Sequence, residues 1–381
     1  MKTLLRQGAI ISLLFFGCSG NELTYDKSNL EELPIAGTQI FEVDSVTVNE
    51  LTYPQVLAFD GRNIVTSINV VDNSLKLFDL DSGQLYKTLN FKSEGKDGLN
   101  ELLSVHILSA DSILYVDKVP NLFLLNQNLE IVRNFSFKDD LEKGMPLFYA
   151  NVLPPIRVKR DQFIASNYYT NMPDRRLNVS FDLEKEELVY MNEVPEEAVI
   201  GFYGIDGFGN WNYVYDHENN FVFNYPNLDS LYVYDQDFQL LRKVYAGSSL
   251  KKEKTNKLVH KRLESMAPQN IELNEREILK QARNSFIYHK LLFNKKKNQY
   301  YRIVGLPIAH FDYELNDPIK SEIRNYSLLV LDKHFDILQE YIIPFNKYMI
   351  QNEAYFVYNG KLYIQRNNTN EDEMQLDIID I

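Results

Sequence analysis

From residue 38 onward the chain alternates short apolar runs with turns rich in Asp, Asn and Gly. The runs are roughly five to eight residues long and read as strands, with apolar side chains returning at every second position. The clearest copy predicts strands over 55–59, 63–68, 74–79 and 84–91, with Asp81-Ser82-Gly83 as the last turn. Later copies predict strands over 112–116, 122–126 and 131–137, then 162–167, 177–182 and 187–192. Others fall over 220–224, 230–235 and 239–245, then 299–304, 326–332 and 337–342, and finally 361–365 and 374–381. The phrases LFDLDSGQLY, LLNQNLEIV, SFDLEKEELV, VYDQDFQLL and VLDKHFDIL are one hairpin written five times. Asp and Asn at its corner tolerate left-handed backbone and cap the reversal.

A module repeated in this way predicts sheets arranged radially rather than a single layer. The expected fold is all-β, a six-bladed β-propeller. Its last copy ends a strand short, whereas 38–48 (TQIFEVDSVTV) is a strand without a partner. Pairing it with 374–381 would close the ring. One stretch departs from the pattern: 248–283 lacks β periodicity and is rich in Lys, Glu, Leu and Gln. Ser248 can cap a helix ending near Met266, and Asn274 with Glu277 three residues later forms a capping box for a second. The expectation is a helical insertion between the fourth and fifth blades.

The first residues change the picture of where the domain works. Lys2 and Arg6 precede the apolar run Ile10–Phe16, which is far shorter than the ~20 residues a spanning helix needs. Residues 1–17 therefore read as an export signal. Cys18, the only cysteine, follows directly after Gly17. Phe15-Phe16-Gly17-Cys18 resembles a bacterial lipobox, which implies lipidation of the Cys18 thiol and attachment to a membrane. The pattern prefers Leu where this chain has Phe15. Residues 18–37 then form the lipidated cysteine and a polar tether, and 38–381 the propeller domain. The implied location is the cell envelope, on the periplasmic side of the outer membrane or at the cell surface.

Removing Lys2 and Arg6 with the signal takes the formal charge from −13 to −15. Such a surface repels phosphate backbones, which excludes nucleic acid as a partner.

The lipobox, the degenerate copies and the loop SEGKDGLNEL together resemble the six-bladed, TolB-like propeller lipoproteins of Bacteroidota, many of them domains of unknown function. Gly95, Gly98, Asn100, Glu101 and Leu102 fit that family's loop between blades; its proline is missing here. Gln299-Tyr300-Tyr301-Arg302-Ile303 also resembles the family. The resemblance implies a fold and a location, and no particular activity.

Candidate chemistry is sparse. Asp79-Leu80-Asp81-Ser82-Gly83 could open a calcium loop but lacks the remaining oxygen ligands, and a hairpin turn explains it more simply. The six histidines show no short metal-ligand spacing, although a propeller could bring them together at its axis. There is no nucleophile elbow and no phosphate-binding loop. No cofactor or metal is expected. The glycine- and aromatic-rich stretch 201–211 suits stacking against a sugar or peptide, or simple packing between blades. The expected ligand face comprises Tyr168, Tyr169, Tyr203, Trp211, Tyr301 and Arg302. The leading expectation is a binding scaffold for a glycan, peptide or protein. The alternative is a lyase or hydrolase with its site at the axis.

Overall fold

The computed structural model describes residues 30–93, 95, 98–100, 102–117, 121–136, 156–159, 162–166, 178–182, 184–190, 195, 212–251, 285–308, 324–350, 353–367 and 370–381. Their strands form six antiparallel sheets in chain order, five of four strands and one enlarged to five. The first sheet runs Val56–Phe59, Arg62–Asn69, Ser74–Asp79 and Leu85–Asn90. The second runs Leu102–Ser109, Ser112–Asp117, Asn121–Leu125 and Ile131–Ser136, the third Ile156–Lys159, Gln162–Ser166, Asn178–Asp182 and Glu187–Tyr190. The fourth holds Asn212–Tyr215, Phe221–Asn224, Ser230–Tyr234 and Leu240–Tyr245. Ile287–Asn294, Gln299–Gly305, Tyr326–Leu331 and Ile337–Ile343 build the fifth, widened by Glu31–Glu32 pairing parallel to its outer strand. Tyr355–Tyr358, Lys361–Gln365 and Glu373–Ile379 begin the sixth, and Ile35–Glu42 completes it.

The apolar core is divided into wedges between neighbouring sheets. Ile64, Leu75 and Leu77 of the first sheet meet Val105, Ile113 and Tyr115 of the second. Val222, Leu231 and Val233 meet Tyr300, Leu329 and Leu331 between the fourth and fifth. In Tyr326–Leu331, Leu328 and Val330 face the sixth sheet while Leu329 and Leu331 face the fourth. Successive side chains leave a strand on opposite sides, so a strand between two wedges is buried on both. That geometry explains why all six residues of Ser74–Asp79 are buried.

The recurring acidic corner has a mechanical cause. Asp235 Oδ1 accepts the backbone N–H of Asp237 and of Gln239, at 2.9 and 2.8 Å. Asp332 does the same for His334 and Asp336, and Asn126 for Asn128 and Glu130. Each turn carries one left-handed residue, Phe238, Phe335 and Leu129 respectively. This backbone swings Phe238 inward to stack on Phe221 and Phe335 onto Tyr300. Asp79, at the candidate calcium loop, accepts from the backbone of Asp81 and Ser82 and pairs with Arg62 at 2.9 Å. Those bonds hold its carboxyl down at about 2.

Two expectations need correction. The closing strand is Ile35–Glu42 and not 38–48, because beyond Glu42 the chain turns at Asp44–Thr47 instead of continuing the ladder. It pairs with Glu373–Ile379 from Ile35↔Ile379 to Glu42↔Glu373. No helix occurs among the described residues. Ser248 does not cap one: its hydroxyl donates to Glu340 at 2.7 Å and accepts from Leu250 N–H in a turn. The rest of the expected insertion lies outside the described residues.

Candidate functional site

The first strands of four of the sheets lie next to one another, and contacts pass along them from sheet to sheet. Asn212–Tyr215 touches Ile287–Asn294, which touches Tyr355–Tyr358, which touches Val56–Phe59. Polar and titratable side chains gather along these strands and the segments entering them.

Glu353 stands just before Tyr355–Tyr358 and Tyr53 just before Val56–Phe59. Both have left-handed backbone, with φ of 53° and 49°. For a residue with a side chain that conformation costs about 1–2 kcal/mol, and such strain collects at working sites. A turn fixes Glu353: its N–H donates to Ile350 O at 3.1 Å, and its own carbonyl accepts from Tyr355 N–H at 2.7 Å. From the fifth sheet Lys290 reaches within 3.9 Å of the Glu353 carboxylate, both side chains being largely enclosed, at 14 % and 13 % exposure. Burial raises the Glu353 pKa and Lys290 opposes the rise. Tyr53 is pushed up to about 12, by burial first and then by Glu353 and Glu50.

Histidines extend the arc on both sides. His289 sits where the Ile287–Asn294 ladder slips register between Tyr288 and Leu291. Its ring meets Tyr326 edge-on at 5.4 Å, and its buried Nε2 has no hydrogen-bond partner. Gly305 lets this happen, since a Cβ there would lie 3.1 Å from that nitrogen and 2.8 Å from Arg324 Cδ. Burial, and then the Arg324 guanidinium, drive the imidazole pKa down to about 3. In the second sheet His106 approaches Gln55, Nε2 to Nε2, at 3.4 Å. The Gln55 amide is itself fixed on the backbone of Ile107 at 3.2 and 3.3 Å. His106 Nδ1 is buried without a partner, and burial holds this imidazole at about 4. Both rings are therefore neutral at physiological pH, each with one donor and one acceptor.

The expected ligand face is only partly visible. Tyr168, Tyr169, Tyr203 and Trp211 lie outside the described residues, as does Cys18. Tyr301 and Arg302 are fully buried, not on a face. Successive positions of one central strand send them into opposite wedges. Tyr301 accepts from Asn294 Nδ2 at 2.8 Å in the wedge toward the sixth sheet. Arg302 enters the fourth, donating to Asn224 Oδ1 and to the carbonyls of Leu228, Asp229 and Ala246 at 2.7–2.9 Å. Its guanidinium lies 3.7 Å from the centre of the Tyr288 ring. Glu353, Tyr53 and Lys290 were not singled out from the sequence, because nothing local marks a residue that precedes a short first strand, as Glu353 and Tyr53 do, or a lysine within the mixed polar and apolar strand Ile287–Asn294.

Sheets wedged side by side, with the N-terminal strand completing the last, define a β-propeller. This chain belongs to the family described as a domain of unknown function, DUF4221, whose model matches residues 27–342. It is similar in structure to a member of that family from Bacteroides vulgatus ATCC 8482, with 20% identity, coverage of 92% of this chain and 98% of that one, and a TM-score of 0.73. It is also similar to a protein of Bacteroides fragilis NCTC 9343 described as exported, with 10% identity, coverage of 92% and 98%, and a TM-score of 0.58. No curated protein matches the sequence.

Proposed function

We propose that this protein is a cell-envelope lipoprotein, tethered through Cys18, whose propeller binds a ligand at the mouth formed by its first strands. The propeller is read as a closed, six-bladed, TolB-like ring, supported by the six sheets in chain order and by the pairing of the first long strand with the last. The observation that carries the binding site is the convergence of Glu353, Lys290 and Tyr53 from three consecutive sheets, two of them on left-handed backbone. Left-handed residues also occur at ordinary hairpin turns, as at Phe238 and Phe335, so what supports a site here is the enclosed pairing of Glu353 and Lys290 together with that backbone.

That pairing gives the test. Glu353→Gly is expected to change the unfolding free energy by no more than about 1 kcal/mol, because relief of the left-handed backbone and of a desolvated carboxylate offsets the loss of its 3.9 Å pairing with Lys290. Urea denaturation measures it. A clear loss would make Glu353 a structural residue and remove the main support for a site here.

A lyase or hydrolase at the same mouth is the second reading, and Glu353 favours it, since burial raises its pKa and a carboxyl so shifted holds a proton more readily than a free one. Imidazoles held at about 3 and about 4 weigh toward binding, because they neither donate nor take up a proton effectively at pH 7.

The anchor has its own test. Cys18→Ser is expected to move the protein from the membrane fraction to the soluble one. Unchanged fractionation would leave the tether reading without support.

A further inference from the structure

We infer that the mouth takes a neutral polyhydroxylated ligand, the hydroxyl-bearing face of a sugar; the inference rests on the binding reading above and deepens it.

The inner arc offers an unusual mixture of groups. Glu353 presents a carboxylate that accepts, and Lys290 beside it an ammonium that donates. His289 Nε2 and His106 Nδ1 are buried and lack partners within the protein. Gln55 Nε2 can only donate, so His106 Nε2 accepts and its bare Nδ1 carries the proton and donates, whereas the bare Nε2 of the neutral His289 is a donor or an acceptor according to tautomer. A buried polar atom left without a partner costs about 1–3 kcal/mol. These nitrogens are therefore placed to be satisfied from outside the chain.

Charge narrows the ligand. A carboxylate or phosphate would be drawn to Lys290 and Arg324 but would meet Glu353 and Glu50, in a protein of net charge −13. An amine would meet Lys290 at the acid and Arg324 at His289. A hydroxyl avoids both conflicts. It donates to the Glu353 carboxylate, accepts from Lys290 and His106, and can do either at His289. Vicinal hydroxyls on one ring would match adjacent donors and acceptors without adding charge to an enclosed site, where an unpaired charge is heavily penalised.

The experiment follows the histidine side chains directly. The full-length protein, labelled with 15N at histidine, is titrated at neutral pH with maltohexaose, cellohexaose and mannohexaose. Polygalacturonate supplies an anionic arm, and trialanine and trilysine the peptide arms. The expected result is a saturable shift of the His106 and His289 ring nitrogens with at least one neutral oligosaccharide. Neither polygalacturonate nor the peptides should produce it. Glu353→Gln is expected to weaken that sugar's affinity about tenfold, the share of one charge-assisted hydrogen bond.

If a peptide or the anionic polymer shifts these nitrogens and no neutral sugar does, the mouth binds but the hydroxyl assignment is overturned. If no probe moves either ring, both the assignment and the axial binding reading fall. The wild-type titration decides between these outcomes even if the Glu353→Gln protein fails to fold.

Discussion

Arg302→Met is expected to lower the unfolding free energy by about 4 kcal/mol, a large part of the stability of a domain. The guanidinium is fully buried, and burial lowers its pKa only to about 10, so it is charged in the folded protein. Its donors meet Asn224 Oδ1 and three backbone carbonyls, all at 2.7–2.9 Å. Two of those carbonyls, Leu228 and Asp229, lie in the turn before Ser230–Tyr234, and the third, Ala246, follows Leu240–Tyr245. One side chain of the fifth sheet thus clamps both ends of a hairpin in the fourth. Methionine fills most of the volume but leaves the carbonyls dry and unpaired, which is the costly half of the change. Arg302→Lys is expected to recover little, because a single ammonium cannot reproduce a planar fork. Urea denaturation of the two variants measures the effect. A loss below about 1 kcal/mol would mean that water reaches those carbonyls and satisfies them.

Deleting residues 30–42 is expected to be more severe still, costing at least about 5 kcal/mol. Phe41 and Leu33 are buried, and each such side chain contributes about 1.5–3 kcal/mol. The ladder to Glu373–Ile379 goes with them, exposing a raw sheet edge. The strand also ties the sixth sheet to the first: Glu42 N–H donates to Gly83 O at 3.1 Å, and Phe41 meets Phe78 edge-on at 5.7 Å. Gly83 is obligatory there, since its φ is 73° and a Cβ would strike the Ile40 carbonyl. Loss of a cooperative thermal transition is the expected readout, with partial recovery on adding the 30–42 peptide. An unchanged transition would show that the ladder contributes nothing.

The same strand gives a pH dependence. Asp377 is completely buried beneath it and accepts from Thr38 at 3.1 Å, Arg366 at 2.8 Å and Tyr348 at 2.7 Å. Burial alone would raise its pKa; Arg366, Tyr348, Lys347 and Thr38 together hold it below the ordinary value of 3.8. A carboxyl depressed in the folded state stabilises fully above its unfolded pKa and loses that contribution as pH falls through the folded one. The gap in melting temperature between wild type and Asp377→Asn is therefore expected at neutral pH and should close on acidification below 3.8. A gap independent of pH would assign the effect to packing rather than charge.

The outer hairpins were the legible part of this fold. Their corner needs a residue whose side chain caps two backbone N–H groups, and that demand writes Asp or Asn at the same place in Asp79, Asn126, Asp182, Asp235 and Asp332. First strands were mostly missed. Asn212–Tyr215 and Tyr355–Tyr358 are four residues each, too short for a period to show. Leu102–Ser109 and Ile287–Asn294 are longer, but mix His, Ser and Lys with apolar residues. Tyr301 and Arg302 were read as surface residues because their chemistry suits a ligand; which wedge received them depended on a neighbouring sheet.

By itself the sequence determined the alternation, the repeated hairpin and an N-terminal strand left over for the last sheet, all written in residues close together along the chain. Tertiary structure alone decided that Glu353, Lys290 and Tyr53 meet and that Arg302 is a clamp. It also left two imidazoles neutral and bare. The physical reason is distance along the chain: desolvation and charge pairing depend on what packs alongside, and here the partners come from separate sheets, from Tyr53 to Glu353.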